Sequence, residues 1–172
     1  MNPHTPSEIW VIDTSSLIQI KEAGTNKHLP RILRELTKMV NAGTLVFPAE
    51  VHKELKYFHR EDVPDAIFDW TDSNRTQATR FGIDYDAMAR VLAKATKVLD
   101  ANKTSGPEEA DSYVLTLGLQ LKEAGAEVTI ITQESRDKPF KLSMSSASGL
   151  LKIYAVSIFP FLEDQGIFTF KG

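Results

Sequence analysis

The apolar residues of the chain fall into short continuous runs that alternate with stripes of helical period. Glu8 to Ile12 is a β-branched and aromatic run ending in the polar cluster Asp13-Thr14-Ser15-Ser16, the pattern of a buried strand followed by a turn. Leu17, Ile18 and Ile20 open a helical turn before Gly24. Leu29, Ile32, Leu33, Leu36 and Val40 share one helix face, and Gly43 supplies the C-terminal stop. Thr44 to Phe47 reads as a second buried strand. Pro48 follows in the first turn of a helix, where its missing N–H costs nothing.

No strand pattern occurs between His59 and Ser105, which predicts a helical insertion at about 60–105 within a single domain spanning 1–172. Pro64 to Trp70 fits a short helix, Ser73 to Gly82 a mobile loop, and Asp84 caps a helix carrying Met88, Val91, Leu92, Ala95 and Leu99. Pro107 opens a long helix to about Ala124, closed by Gly125, and Val128 to Thr132 is a third buried strand. Ser145 to Lys152 reads as a helix, Ile153 to Ile158 as a fourth strand, and Phe159 to Asp164 as a last helical turn. Strands alternating with amphipathic helices define an α/β protein with a parallel sheet covered on both faces.

Composition narrows the classes further. With 42% hydrophobic and 25% charged residues, 9 Gly and 8 Pro, the 172 residues have the make-up of one globular domain, not of a disordered or low-complexity chain. There is no Cys, which excludes thiol catalysis, iron–sulfur clusters, zinc ribbons and disulfides and makes the cytoplasm the expected location. Neither a signal sequence nor an apolar run of roughly 18 residues is visible, so no membrane contact is expected. A net charge of −3 argues against a dedicated basic nucleic-acid coat but allows a local patch.

Ligands of open parallel sheets bind at the carboxyl ends of the strands, which directs attention to acids just past the apolar runs. Asp13 follows the first strand and Glu134 the third. In the helix after the second strand, at about 100° per residue, Glu54 lies about 60° from Val51 and about 40° from Phe58, bordering the buried stripe. Glu50, one turn earlier, is the more exposed of the pair. In the helix from Pro107, Asp111 lies among apolar directions above Gly118, where an unpaired Asp is costly and needs a cation or a hydrogen-bond partner. Each acid alone admits an ordinary role as turn former, cap or first-turn residue, as Glu108 and Glu109 do. Together, Asp13, Glu54, Asp111 and Glu134 would repel one another at one sheet edge unless a cation compensates; buried salt bridges with Arg or Lys are the alternative. Oxygen donors without Cys select hard ions, Mg²⁺ or Mn²⁺, and such ions serve phosphodiester hydrolysis.

The segments Ile-Trp-Val-Ile-Asp13-Thr-Ser-Ser-Leu-Ile, Phe-Pro-Ala-Glu50-Val-His-Lys-Glu54-Leu, Glu109-Ala-Asp111-Ser-Tyr-Val-Leu and Ile-Ile-Thr132-Gln-Glu134-Ser, in that order, resemble the PIN-domain nucleases over roughly Ile9 to Phe161. The resemblance implies a three-layer α/β/α sandwich and an Mg²⁺- or Mn²⁺-dependent ribonuclease, frequently the toxin of a toxin–antitoxin pair (VapC-like) and commonly a homodimer. It also implies roles. Asp13 would be the central metal ligand supported by Ser15, with Glu54 and Asp111 as further ligands, Glu50 as the fallback for Glu54, and Thr132 preceding the fourth acid. That fourth acid is usually Asp or Asn; here it is the longer Glu134, and Asp137 is its possible substitute.

His4, His28, His52 and His59 are expected to be peripheral, since such a mechanism needs no imidazole. No Gly-x-Ser-x-Gly elbow and no Gly-rich loop after the first strand occurs, which disfavours Ser hydrolases and nucleotide-binding folds. Lys53, Lys56, His59 and Arg60 read as a solvated face. Trp70, Arg75, Arg80 and Tyr85 could wall an RNA groove or meet an antitoxin, with core packing the plainer role for Trp70 and Tyr85. A non-catalytic interaction module acting through a partner protein is the competing function.

Overall fold

The computed structural model describes residues 6–23 and 27–169. Four strands, β1 (Glu8–Ile12), β2 (Leu45–Val46), β3 (Glu127–Ile131) and β4 (Tyr154–Val156), form one parallel sheet in the order β2-β1-β3-β4. β1 is central, aligned with β3 from Glu8 opposite Glu127 to Ile12 opposite Ile131. On its other side Trp10 and Val11 pair with Leu45 and Val46. Both strands end in residues that are buried on both faces, as parallel strands between helical layers must be.

Eight helices among the described residues flank this sheet: α1 (Thr14–Ala23), α2 (Leu29–Ala42), α3 (Ala49–Phe58), α4 (Ala66–Ala78), α5 (Tyr85–Lys94), α6 (Asp111–Glu123), α7 (Met144–Leu150) and α8 (Ile158–Asp164). α6 packs on β1 and β3, with α5 and α7 beside it, while α2 and α4 pack on β2 and α1 lies against α3, α4 and α8. The result is the α/β/α sandwich with a central parallel sheet that the sequence implies. α6 can lie close to the sheet because Gly118 has no side chain; a Cβ there would come 3.3 Å from Ile130 Cδ1. No helix is long and apolar enough to cross a membrane among the described residues.

Several expected boundaries change. The helical turn around Leu17 is a ten-residue helix that begins directly after Asp13; its expected stop, Gly24, lies outside the described residues. The expected loop from Ser73 to Gly82 is mostly helix, because α4 runs from its cap Asp65 through to Ala78. Asp65 Oδ1 accepts the Ile67 and Phe68 amides, and Asn74 and Ala78 are buried, so the polar second half of α4 is held by packing rather than by an apolar stripe. α5 ends at Lys94, before Ala95 and Leu99. α7, β4 and α8 fall within one or two residues of expectation.

The start of α6 differs most. The helix begins at Asp111, not Pro107, so Glu108 and Glu109 precede it and Asp111 is its first residue rather than an interior one. Tertiary partners take over this stretch: the Ala110 amide donates to Glu54 Oε2, Glu109 Oε2 accepts the Asp100 amide, and Glu108 Oε1 accepts from Tyr113 Oη. The Ala110 amide, which a helix begun at Pro107 would have turned inward, is thereby satisfied from outside. Phe58 is also not part of the buried stripe of α3, being 66% exposed.

Candidate functional site

The strand order reverses between β1 and β3: the chain moves from β1 outward to β2 on one side and continues through β3 to β4 on the other. Such a switch point opens a crevice past the carboxyl ends of the two strands. The first residue beyond β1 is Asp13, 2% exposed, and its amide donates to Ile131 O at the end of β3 (3.1 Å).

The Asp13 carboxylate is fastened on every side. Ser15 Oγ lies 2.9 Å from both of its oxygens, the Ser16 amide donates to Oδ1 at 2.9 Å, and Thr132 Oγ1 donates to Oδ2 at 2.5 Å. Ser15 Oγ in turn accepts the Gln133 amide (3.1 Å), and Thr132 Oγ1 accepts the Glu134 amide (3.1 Å). The first turn of α1 and the loop after β3 are thereby laced together. Burial pushes the Asp13 carboxyl up to about 6; the bonds from Thr132, Ser16 and Ser15 pull it down, and nearby Asp111 adds to the rise.

Asp111 enters from the first turn of α6 with its side chain 14% exposed, and Glu134 enters from the loop after β3. Burial raises the Asp111 carboxyl against the pull of Lys141, with Glu109 adding to the rise. Burial likewise raises Glu134, with the charges of Asp111 and Asp13 in the same direction and Lys141 opposing. Three carboxylates thus share one field.

The cation that the sequence asks for at Asp111 is Lys141. Its ammonium lies 2.6 Å from Asp111 Oδ2, 3.5 Å from Glu109 Oε1 and 3.8 Å from Glu134 Oε2, with the side chain only 12% exposed. Burial opposes its charge, but Asp111, Glu134 and Glu109 outweigh that and push its pKa up. The close contact with Asp111 is a buried, charge-assisted one: the ammonium is the partner of Oδ2. Neither Lys141 nor Glu109 stands out in the sequence as a site residue, because Lys141 sits in the aperiodic polar stretch Ser135-Arg136-Asp137-Lys138-Pro139-Phe140-Lys141 and Glu109 reads as an ordinary first-turn acid.

The remaining expected residues fall elsewhere. Glu54 contributes its carboxylate to the Ala110 amide, one residue before Asp111, at 3.1 Å. Glu50 is paired with Lys53 at 3.1 Å, and its side chain is 13% exposed rather than open. Asp137 is turned to the Ser143 amide (2.8 Å), which lowers its carboxyl and uses it to close a loop. His52 is buried, with Nε2 2.8 Å from Asp72 Oδ1 and its ring stacked on Phe68, neither of them part of the acidic cluster. His59 stacks on the same Phe68, and His28 lies against Phe168. His4 lies outside the described residues. Trp70 is core, whereas Tyr85 is largely exposed.

Oxygen donors and a shared negative field fit a hard divalent cation in chemistry. In position, the side chains close around Lys141 instead, and no three His, Asp or Glu residues among the described residues stand as a ready metal cage. Beside Glu134 opens a pocket of about 250 Å³ with a basic wall, lined among others by Ser135, Arg136, Lys138, Lys141 and Ser143. Acid on one side and base on the other suit a phosphodiester.

Residues 10–169 match the family described as a domain of unknown function (DUF4411), and the chain belongs to that family. No curated protein and no solved structure matches the chain.

Proposed function

We propose that this chain is a metal-dependent endoribonuclease of the PIN type. The observation that carries this reading is the imbalance of charge at the switch point: Asp13, Asp111 and Glu134 converge with Glu109, and among the described residues Lys141 is the one cation within 4 Å of Asp111, Glu134 and Glu109, with none that near Asp13. RNA as substrate, a role as the toxin beside an antitoxin protein, a homodimeric state and a cytoplasmic setting rest on the resemblance of the motifs to PIN nucleases.

Asp13, Asp111 and Glu134 would hold Mg²⁺ or Mn²⁺, with Glu54 at the margin. An ion held there supplies charge stabilisation at a scissile phosphate and makes water more acidic. The chain's own groups do the positioning. Ser15, Ser16 and Thr132 fix the orientation of the Asp13 carboxylate, so that no conformational freedom is lost when it engages a ligand. Arg136 and Lys138, on the pocket wall, neutralise backbone phosphates flanking the site.

One observation favours a second reading. Lys141 already neutralises part of the acidic cluster, which an interaction module without chemistry could use as a structural salt bridge. Incubating the purified chain with a mixed pool of structured and single-stranded RNA separates the two, using Mg²⁺, Mn²⁺ or EDTA and the Asp111→Asn variant. The nuclease requires a divalent ion, and cleavage falls at least about a hundredfold in the variant while its circular dichroism is unchanged. Intact RNA under every condition would favour the module.

A further inference from the structure

The segment from Gln133 to Ser143 has no hydrophobic period and is largely exposed, yet it is tied down along its length. The Ser145 amide donates to Glu134 O (3.0 Å), the Ser143 amide to Asp137 Oδ1 (2.8 Å) and the Leu142 amide to Lys97 O (2.7 Å), while Lys138 and Lys141 exchange backbone bonds of 2.8 and 3.2 Å across Pro139-Phe140. Backbone bonds rather than packed side chains shape the segment, and a pocket of about 250 Å³ stays open within it. That volume lies just below the roughly 300–1,000 Å³ of pockets that take drug-sized ligands, and suits a ligand of nucleotide size. Three features of the wall choose its chemistry. Arg136 and Lys138 make no ion pair among the described residues, which leaves both charges to a phosphate. Gln133 is fixed in sense: its Oε1 accepts the Ile158 amide at the start of α8 (2.8 Å), so the end left to bond is Nε2, a donor with no acceptor beside it. Phe140 stands exposed at the tip of the turn whose two stems, Lys138 and Lys141, line the pocket, and offers a ring on which a base can stack. A phosphate alone would use only the cations; the amide donor and the ring are groups that a base uses.

We propose that this pocket seats one nucleotide of the RNA beside the cleavage site, with Arg136 and Lys138 on its phosphate, Phe140 against its base and Gln133 Nε2 reading the base edge. A donor with no acceptor beside it suits a keto oxygen and not an amino group. Guanine, whose O6 and N7 both accept, is therefore preferred to adenine, and uracil, with O4, to cytosine, with its N4 amino group. Gln133 is thereby the residue that sets which base lies next to the cut. The place of this pocket in cleavage rests on the nuclease reading, whereas seating a nucleotide needs neither metal nor a cut.

The whole chain, isotope-labelled for NMR, is titrated in EDTA with the 5′-monophosphates of guanosine, adenosine, uridine and cytidine and with inorganic phosphate. The expected shifts centre on Gln133 to Ser143 and include the Gln133 side-chain amide. Guanosine monophosphate should bind about three- to tenfold tighter than adenosine monophosphate, and uridine than cytidine monophosphate, the worth of one hydrogen bond, with phosphate alone weaker than all four. Gln133→Glu keeps an acceptor for the Ile158 amide but removes the donor, so both ratios should fall to one or below. Phe140→Ala should weaken all four nucleotides and leave phosphate unchanged. No shift between Gln133 and Ser143 overturns the proposal, as does phosphate binding as tightly as the nucleotides, or a wild type without the keto preference. So does a preference that survives in a Gln133→Glu variant whose spectrum shows it folded. Cleavage of RNA by a chain that fails this titration overturns the nucleotide seat and keeps the nuclease; a chain that passes it but leaves every RNA intact overturns the nuclease and keeps the seat.

Discussion

Two buried polar regions of the molecule are built on opposite terms. Where α2, α3 and α4 meet, buried polar groups are matched largely one to one: Trp70 Nε1 donates to Leu33 O and Thr37 Oγ1, Thr71 Oγ1 to Ile67 O, Asn74 Nδ2 to Trp70 O, and His52 Nε2 faces Asp72. Apart from His52 and Asp72 these bonds join neutral groups; those of Thr71 and Asn74 close within α4, and the others tie α4 to α2 and α3. At the ends of β1 and β3, by contrast, carboxylates outnumber cations, and two buried hydroxyl oxygens at the adjoining start of α1, Thr14 Oγ1 and Ser16 Oγ, have no hydrogen bond. A matched cluster serves stability. An unmatched one costs stability and is kept where a ligand can repay the cost.

Removing Trp70 should therefore give the largest loss of stability and touch nothing at the acids. Trp70→Ala deletes a buried indole and two hydrogen bonds, for an expected loss of about 3–5 kcal/mol in urea denaturation, with Mn²⁺ affinity per folded molecule unchanged. A change in Mn²⁺ affinity would mean that the two regions are coupled.

Asp13→Asn should do the reverse. The Asp13 carboxyl, at about 6 against an ordinary 3.8, holds its proton more tightly folded than unfolded, so its contribution to stability is full at low pH and disappears as the pH rises through about 6. Without divalent ions, the variant should be more stable than wild type near pH 8 by on the order of 2 kcal/mol and nearly equal near pH 4, read from denaturation at both values. Equal stability at the two pH values in wild type would remove the contrast. The smallest effect is expected for Ser15→Ala, which loses the bonds to Asp13 and to the Gln133 amide and should cost about 1 kcal/mol. Its cleavage of RNA should fall about tenfold, because the carboxylate is no longer held in one orientation.

The same contrast explains what could be read from the amino acids. β1 and β3 and the apolar face of α2 are written locally, in β-branched runs and a 3.6-residue period, and they form where expected. Asp13, Asp111 and Glu134 were legible as polar residues at the ends of such elements. The start of α6 was not, because Glu54 takes the Ala110 amide from 56 positions away and Glu109 turns out to Asp100. Nor was Lys141, whose partners lie in three other segments and whose own neighbours carry no period. Pairings made across the fold leave no trace in local pattern.

The lacing of Asp13 to Thr132 joins residues 119 positions apart. β1 is made early but remains without its β3 partner until the segment around Glu127 to Ile131 has been synthesised. On a translating ribosome, Asp13 then waits without Thr132 until β3 has been made, with only Ser15 and Ser16 near it in sequence, since contacts of such separation form last. If the proposed cleavage of RNA is right, the chain emerges from the RNA machine that makes it with the Asp13 to Thr132 half of its acidic site still unassembled.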